Sequence, residues 1–346
     1  MTELDWKRAE GPAEVIQALQ AHRLLPVADL LVERGLLRAD LVPLARRLAA
    51  RSVDEEHRRV AIEDEVLGAI GGAGIDVLVL KGALLGRTVY PAPAARIRSD
   101  NDLLVATGTV DNAFAALRRI GFAPSYEVHG GPPMTQAQWI RRGESPVHAV
   151  DLHWDLSNRP LLKDRFRFDA LMDRSIEVPG HARPVAGLCA DDALLHACAH
   201  YFGHHRGEFR PDQWLLDMDL LWRALDDGGP DGVAEAALAS GIGSLVAAGM
   251  RLSMARFETP VDPDWLARLE TASSRESVRR LTRPPRFRAL EIFRSAWEEK
   301  GLAAGFRNLR GTFFPPAAYM FRKYPGSARW ALPWLYVRRI VGGGKR

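Results

Sequence analysis

The chain has 346 residues, 47% of them hydrophobic and 26% charged, with a formal net charge of +4. Those proportions exclude a disordered chain and supply enough apolar surface for a packed core. Two cysteines exclude a disulfide scaffold; with a polar N-terminus lacking an apolar signal core, they predict a reducing, cytoplasmic setting.

No apolar run approaches the roughly 18–20 residues of a membrane span, so none is expected. The charge is unevenly spread. Residues 275–346 hold 14 Arg and 3 Lys against 4 Glu, a net +13, which leaves −9 on the first 274. Basic surface attracts phosphate, nucleic acid or anionic lipid, although a solvated set of Arg-rich helices has the same composition.

Residues 12–70 read as helical, with Val15, Ile16 and Leu19 and then Leu44 and Leu48 at three- and four-residue spacing. The Arg/Glu/Ala/Leu-rich stretch 42–70 predicts one long helix, or two broken near Ser52, ended by Gly71–Gly74. Ile75–Leu80 is a β-branched apolar run that predicts a buried strand. A short helix follows over Ala83–Tyr90, stopped by Pro91 and Pro93. A second strand is expected at Asp100–Val105, a helix at 111–120, a turn at Gly130–Pro133 and a third strand at about Pro146–Leu156.

From residue 165 the pattern is mostly helical. Helices are expected at 191–205, 213–225, 231–256, 262–282 and 287–300, with Gly228-Gly229-Pro230 as a linker. The fold class is therefore α+β. A helical N-terminal segment (1–70) precedes a small mixed-sheet core (71–160) and a larger, mostly helical C-terminal region with a basic aromatic tail (161–346).

Three features of the middle stretch carry chemistry. A strand ends in Lys81-Gly82 and opens a helix, so amide N–H groups and a positive dipole end are presented to a phosphate. Asp100 and Asp102 are two apart on a strand, so their carboxylates share a face. Asp151, His153 and Asp155 repeat that period on the next strand. Carboxylates beside a phosphate-binding turn suit one or two Mg²⁺ ions, which take hard oxygen ligands and share them with substrate phosphates.

The run from Leu80-Lys81-Gly82, through Arg96 and Asp100-Asn101-Asp102-Leu103-Leu104-Val105, to Asp151-Leu152-His153-Trp154 resembles the uncharacterised nucleotidyltransferase family of the polymerase-β superfamily. The likeness continues in the helices at Asp192–His200 and Trp214–Asp219 and extends over about residues 55–340. Two departures stand out. Asn101 occupies a position that is apolar in the family, and Lys81-Gly82 stands where the superfamily usually has Gly-Ser.

The resemblance implies Mg²⁺- or Mn²⁺-dependent transfer of a nucleoside monophosphate from an NTP, ATP by default, to a hydroxyl or phosphate of an unidentified acceptor, with release of pyrophosphate. It implies Asp100, Asp102 and Asp151 as catalytic metal ligands, Asp151 also accepting the acceptor's proton. Lys81 with the amides near Gly82 and Ala83 would hold the β- and γ-phosphates. Arg96 and Arg98 would neutralise the leaving group, and His153 would orient Asp151 or touch phosphate. The alternative is a catalytically inactive nucleotide- or peptide-binding module of the same fold.

Other residues read more plainly. His196, His200 and His204 share a helix face, which suits core or cleft-bordering histidines better than zinc, for want of a further ligand. Cys189 and Cys198 read as small buried hydrophobes. Asp217 and Asp219 are two apart on a helix and so face different ways, Asp217 toward a neighbouring helix. The aromatic–basic tail Phe313–Arg339 reads as a core-wrapping segment beside the acceptor cleft, with nucleic-acid or membrane-surface binding as its minor reading.

Overall fold

The computed structural model describes residues 5–9, 11–125, 135–141, 143, 148–203, 209–226 and 228–282, and beyond them Phe314, Ala317, Met320, Phe321, Tyr324 and 326–341. The helix expected at 287–300, and His204 with its neighbours, lie outside the described residues.

The chain opens with short helices α1 (Pro12–Ala21) and α2 (Ala28–Glu33), then the single long helix α3 (Val42–Gly71), unbroken at Ser52. Ala-, Arg- and Glu-rich composition favours an uninterrupted helix. The buried stripe of α3 includes Ile62, Val66 and Ile70, but also Glu56 and Glu63. The first sheet strand is β1 (Val77–Val79), which turns directly into α4 (Lys81–Thr88). Strand β2 (Asp100–Val105) and helix α5 (Val110–Arg119) follow near their expected bounds.

Five further strands complete a seven-stranded mixed sheet. They are β3 (Ala123–Pro124), β4 (Gln136–Arg141), β5 (His148–His153), β6 (Ile176–Glu177) and β7 (Ala186–Gly187), in the order β3-β4-β5-β2-β1-β7-β6. Three of the added strands have only two residues, too few to show a period, and β4 interleaves Gln and Arg with Trp139 and Ile140. A short helix α6 (Phe168–Asp173) precedes β6. β2 runs parallel to β5 and antiparallel to β1, while β4 runs antiparallel to β5.

Register assigns the two faces. Asn101 lies opposite Val150 and Val150 opposite Trp139, so these share one face, which α3 and α5 cover. Asp102 lies opposite Asp151 and Asp151 opposite Gln138, on the other face. The remaining helices are α7 (Ala190–Gly203), α8 (Gln213–Arg223), α9 (Gly229–Ala239), α10 (Gly243–Phe257) and α11 (Pro263–Ala272), which pack on one another; α12 (Leu332–Val341) closes the description.

The expected helix 231–256 is two helices, because the chain turns at Gly241 with φ +62°, a left-handed conformation that glycine adopts without a Cβ clash. Gly228–Pro230 is the entry to α9 rather than a linker. Past Ala272, the expected helix 262–282 gives way to a 3₁₀ segment over Ser277–Thr282. Buried apolar residues form one continuous cluster from Trp6 to Leu281. Among the described residues no single helix is long and apolar enough to cross a membrane.

Candidate active site

The site lies on the Asp102–Asp151 face, at the bend between β1 and α4. Leu80 donates its backbone N–H to the Asp102 carbonyl at 3.0 Å and holds that bend against β2. Lys81, the first residue of α4, has φ +47°, a left-handed conformation that costs a non-glycine residue about 1–2 kcal/mol. Its ammonium donates to Asp102 Oδ1 at 2.6 Å. Gly82 is required by close approach. A Cβ there would lie 2.9 Å from Cβ of Arg98, so the start of α4 sits against the loop entering β2.

Asp102 is buried and accepts a second bond from His153 Nε2, at 2.9 Å on the same Oδ1. Because a carboxylate only accepts, the neutral imidazole carries its proton on Nε2. His153 therefore bonds Asp102, whereas the sequence paired it with Asp151 or phosphate. Ligand atoms of Asp102, Asp151 and His153 all lie within 4.8 Å of one another, an arrangement that could hold a metal ion. Oδ1 of Asp151 is buried without a hydrogen-bond partner among the described residues, so the site contains an unsatisfied carboxyl oxygen. Two carboxylates with one open oxygen fit a hard divalent cation.

The electrostatics are divided among the acids. Burial opposes ionisation of Asp102, but the Lys81 charge and the His153 bond outweigh it and hold the carboxyl well below its usual range. Burial, then the charges of Asp102 and Asp100, push Asp151 up to about 7, against the Lys81 charge and a hydrogen bond from Gln138. Burial and the Asp102 charge push Asp100 up to about 6. Asp100 thus senses the cluster and shares its face, but it is not in the close-set Asp102–Asp151–His153 group.

Other expected residues have different surroundings. Arg96 makes a bidentate pair with Asp217 of α8, both bonds at 2.7 Å, and also donates to the Ile97 carbonyl; Tyr90 donates to the same Asp217 at 2.7 Å. Arg98 turns to the opposite face of the sheet. It donates to Glu56 at 2.7 and 2.9 Å, to Glu63 at 2.8 Å and to Asn101 Oδ1 at 2.5 Å. Both arginines, expected at the leaving group, are thus engaged by groups of the protein. The polar Asn101 is accommodated in this buried face by its bond to Arg98. Asp155, expected on the catalytic face, lies past the end of β5 and accepts the backbone N–H groups of Ser157 and Asp164.

Sequence reading missed Glu56 and Glu63, which looked like solvated charges of an Arg/Glu-rich helix. Their seven-residue spacing in phase with Val66 and Ile70 is the signal that they face inward. It also missed Gln138, on a strand with no clean alternation. His196 is buried, with Nε2 lacking a partner among the described residues; burial, then Lys81 and His153, bring its pKa down to about 3. His200 packs edge-on against Trp214, with ring centroids 4.9 Å apart. Asp219, as its spacing from Asp217 requires, faces a different set of partners: Arg34, Arg223 and Thr259. Cys198 is buried and both cysteines are free.

A mixed α/β fold with paired carboxylates beside a lysine-bearing strand–helix bend defines a nucleotidyltransferase-like α+β domain. The sequence profile described as "Uncharacterised nucleotidyltransferase" matches residues 8–258, and the chain belongs to that family. The match takes in the N-terminal helices, which the motifs by themselves left out, and stops before the basic tail. Comparison with curated proteins finds no match.

Proposed function

We propose that the chain is an active, divalent-metal-dependent nucleotidyltransferase that moves a nucleoside monophosphate from an NTP, by default ATP, to a hydroxyl or phosphate of its acceptor. The observation that carries this is the register of β2 and β5. It sets Asp102 directly opposite Asp151, with the Lys81 ammonium on the same carboxylate.

Asp102 and Asp151 would hold the cation, Mg²⁺ or Mn²⁺, with Asp100 completing the acidic face. The cation would supply charge neutralisation for the phosphates at both ends of the displacement. Lys81 and the first-turn amides of Gly82 and Ala83 bind the β- and γ-phosphates, since amides in the first turn of a helix lack an intrahelical acceptor. His153 orients Asp102 through its Nε2–H.

The acceptor oxygen forms the new bond to the α-phosphorus, the bond to the bridging oxygen of pyrophosphate breaks, and pyrophosphate leaves with that electron pair. Asp151, whose Oδ1 has no hydrogen-bond partner among the described residues, takes the acceptor's proton. Arg96 and Arg98 act on this chemistry by holding the loop between α4 and β2.

The test is pyrophosphate release and label transfer from each α-labelled NTP, with Mg²⁺, with Mn²⁺ and with chelator, in the wild type and in Asp102→Asn. Metal-dependent release that Asp102→Asn lowers at least about 1,000-fold is expected. Metal-independent nucleotide binding that Asp102→Asn leaves unchanged, with no release, would identify the inactive binding module instead.

A further inference from the structure

We propose that Arg23, from the N-terminal helical segment, is a phosphate-binding residue of the active site and holds the triphosphate of the donor nucleotide. The inference rests on the nucleotidyltransferase reading above and adds to it a residue far from every motif.

Its first support is the backbone. Helix α1 ends in a Schellman turn. Leu24 donates its N–H to the Leu19 carbonyl at 2.8 Å, Arg23 donates to Gln20, and Leu19 and Leu24 are both fully buried. The residue in the left-handed position of such a turn is usually glycine. Here it is Arg23, with φ +60°. Folding alone favours glycine at this position, so the arginine side chain needs a reason of its own.

The second support is location. Gln213, at the start of α8, donates its backbone N–H to the His22 carbonyl at 3.3 Å and its side-chain amide to the Ile97 carbonyl at 2.8 Å. One residue thus ties the Arg23 turn to the loop that enters β2 at Asp100. The 3₁₀ segments Leu25–Val27 and Pro93–Ala95 pack on each other beside it. The guanidinium is half-buried and feels the charges of Asp100 and Arg96.

The third support is chemical. Arg96 and Arg98 are both engaged by carboxylates, and Lys81 by Asp102. The Arg23 guanidinium has no hydrogen-bond or ion-pair partner among the described residues, so its donors are available. A planar, permanently charged fork matches phosphate oxygens. Lys81 on Asp102 and Arg23 within electrostatic range of Asp100 give the acidic face two cations, which suits a chain of phosphates. The family match begins at residue 8 and so includes this turn.

The test is calorimetric titration of full-length wild type, Arg23→Gly, Arg23→Lys and Arg46→Ala with a non-hydrolysable nucleoside triphosphate and, separately, with inorganic tripolyphosphate, both with Mg²⁺. Thermal unfolding of the ligand-free proteins accompanies it. Arg23→Gly should weaken both ligands about 10- to 100-fold, the loss expected of charged hydrogen bonds, while unfolding at or above the wild-type temperature. Arg23→Lys should recover part of the affinity, and Arg46→Ala, a change at an exposed ion pair, should match wild type. Equal affinity of Arg23→Gly and wild type for tripolyphosphate overturns the assignment and leaves the nucleotidyltransferase reading standing. So does unfolding of ligand-free Arg23→Gly well below wild type, which would make the arginine structural. A wild type that binds neither ligand overturns both.

Discussion

At the scale of single residues, the site works by unequal treatment of like groups. Asp102 accepts from both Lys81 and His153 and stays ionised, whereas Asp151 keeps one oxygen buried and, among the described residues, unpaired. That inequality has a consequence for stability. Asp151 retains its proton to about pH 7 in the fold but releases it near its ordinary value of 3.8 when unfolded. Between those values the folded state binds more protons, so unfolding free energy falls as pH rises through the window. In chelator, Asp151→Asn should abolish this loss and gain about 2–4 kcal/mol on wild type between pH 4 and pH 8. Denaturant titrations of the two proteins check it; parallel curves across that range would contradict the assignment. Added Mg²⁺ should raise the wild-type unfolding temperature most at pH 8, where both carboxylates are ionised, and much less in Asp151→Asn.

Elements set these residues by register and by buried charge. The parallel pairing of β2 with β5 aligns Asp102 with Asp151, and a slip of one residue would put Val150 there instead. Behind β2, Arg98 lies between two carboxylates of α3 from 35 and 42 residues away and braces the strand against the helix. A buried cation between two anions makes a poor source of net stability but a costly one to break. Arg98→Ala leaves Glu56 and Glu63 buried without their cation. It should destabilise by roughly 3–5 kcal/mol in denaturant titration; a loss below about 1 kcal/mol, as for a surface pair, would show that the network does not brace the strand. The outline of these elements was legible in the sequence. β2 and α5 carry clear periods, and Lys81-Gly82 marks the bend. The two-residue strands and β4 were not, because a strand recognised by pairing rather than by pattern leaves no local trace.

At the scale of the whole molecule, one apolar core runs from Trp6 to Leu281 and joins the N-terminal helices, the sheet and the α7–α11 helices. The fragment 71–160 would expose Leu78, Leu80, Leu84 and Leu103, all fully buried in the intact chain. It should therefore show no cooperative thermal transition and should bind a hydrophobic dye, whereas the full chain unfolds cooperatively. A cooperative transition of the fragment would show that the sheet core is self-sufficient. The charge asymmetry also belongs to this scale: the +13 of residues 275–346 falls wholly beyond the family match, so the basic tail is separate from the features that define the family.

The sequence by itself determined the candidate ligands and their faces. Asp100, Asp102, Asp151 and His153 are fixed by a period of two, and the strand–helix bend by a lysine and a glycine between them. These are local properties, set within a few residues by backbone geometry. Tertiary structure alone decided that Asp102 meets Asp151, that His153 serves Asp102, and that Arg96 and Arg98 are held by Asp217, Glu56 and Glu63. It also tied the Arg23 turn, through Gln213, to the loop that enters β2. Each of those relations joins segments dozens of residues apart, and only packing into one core brings such partners together.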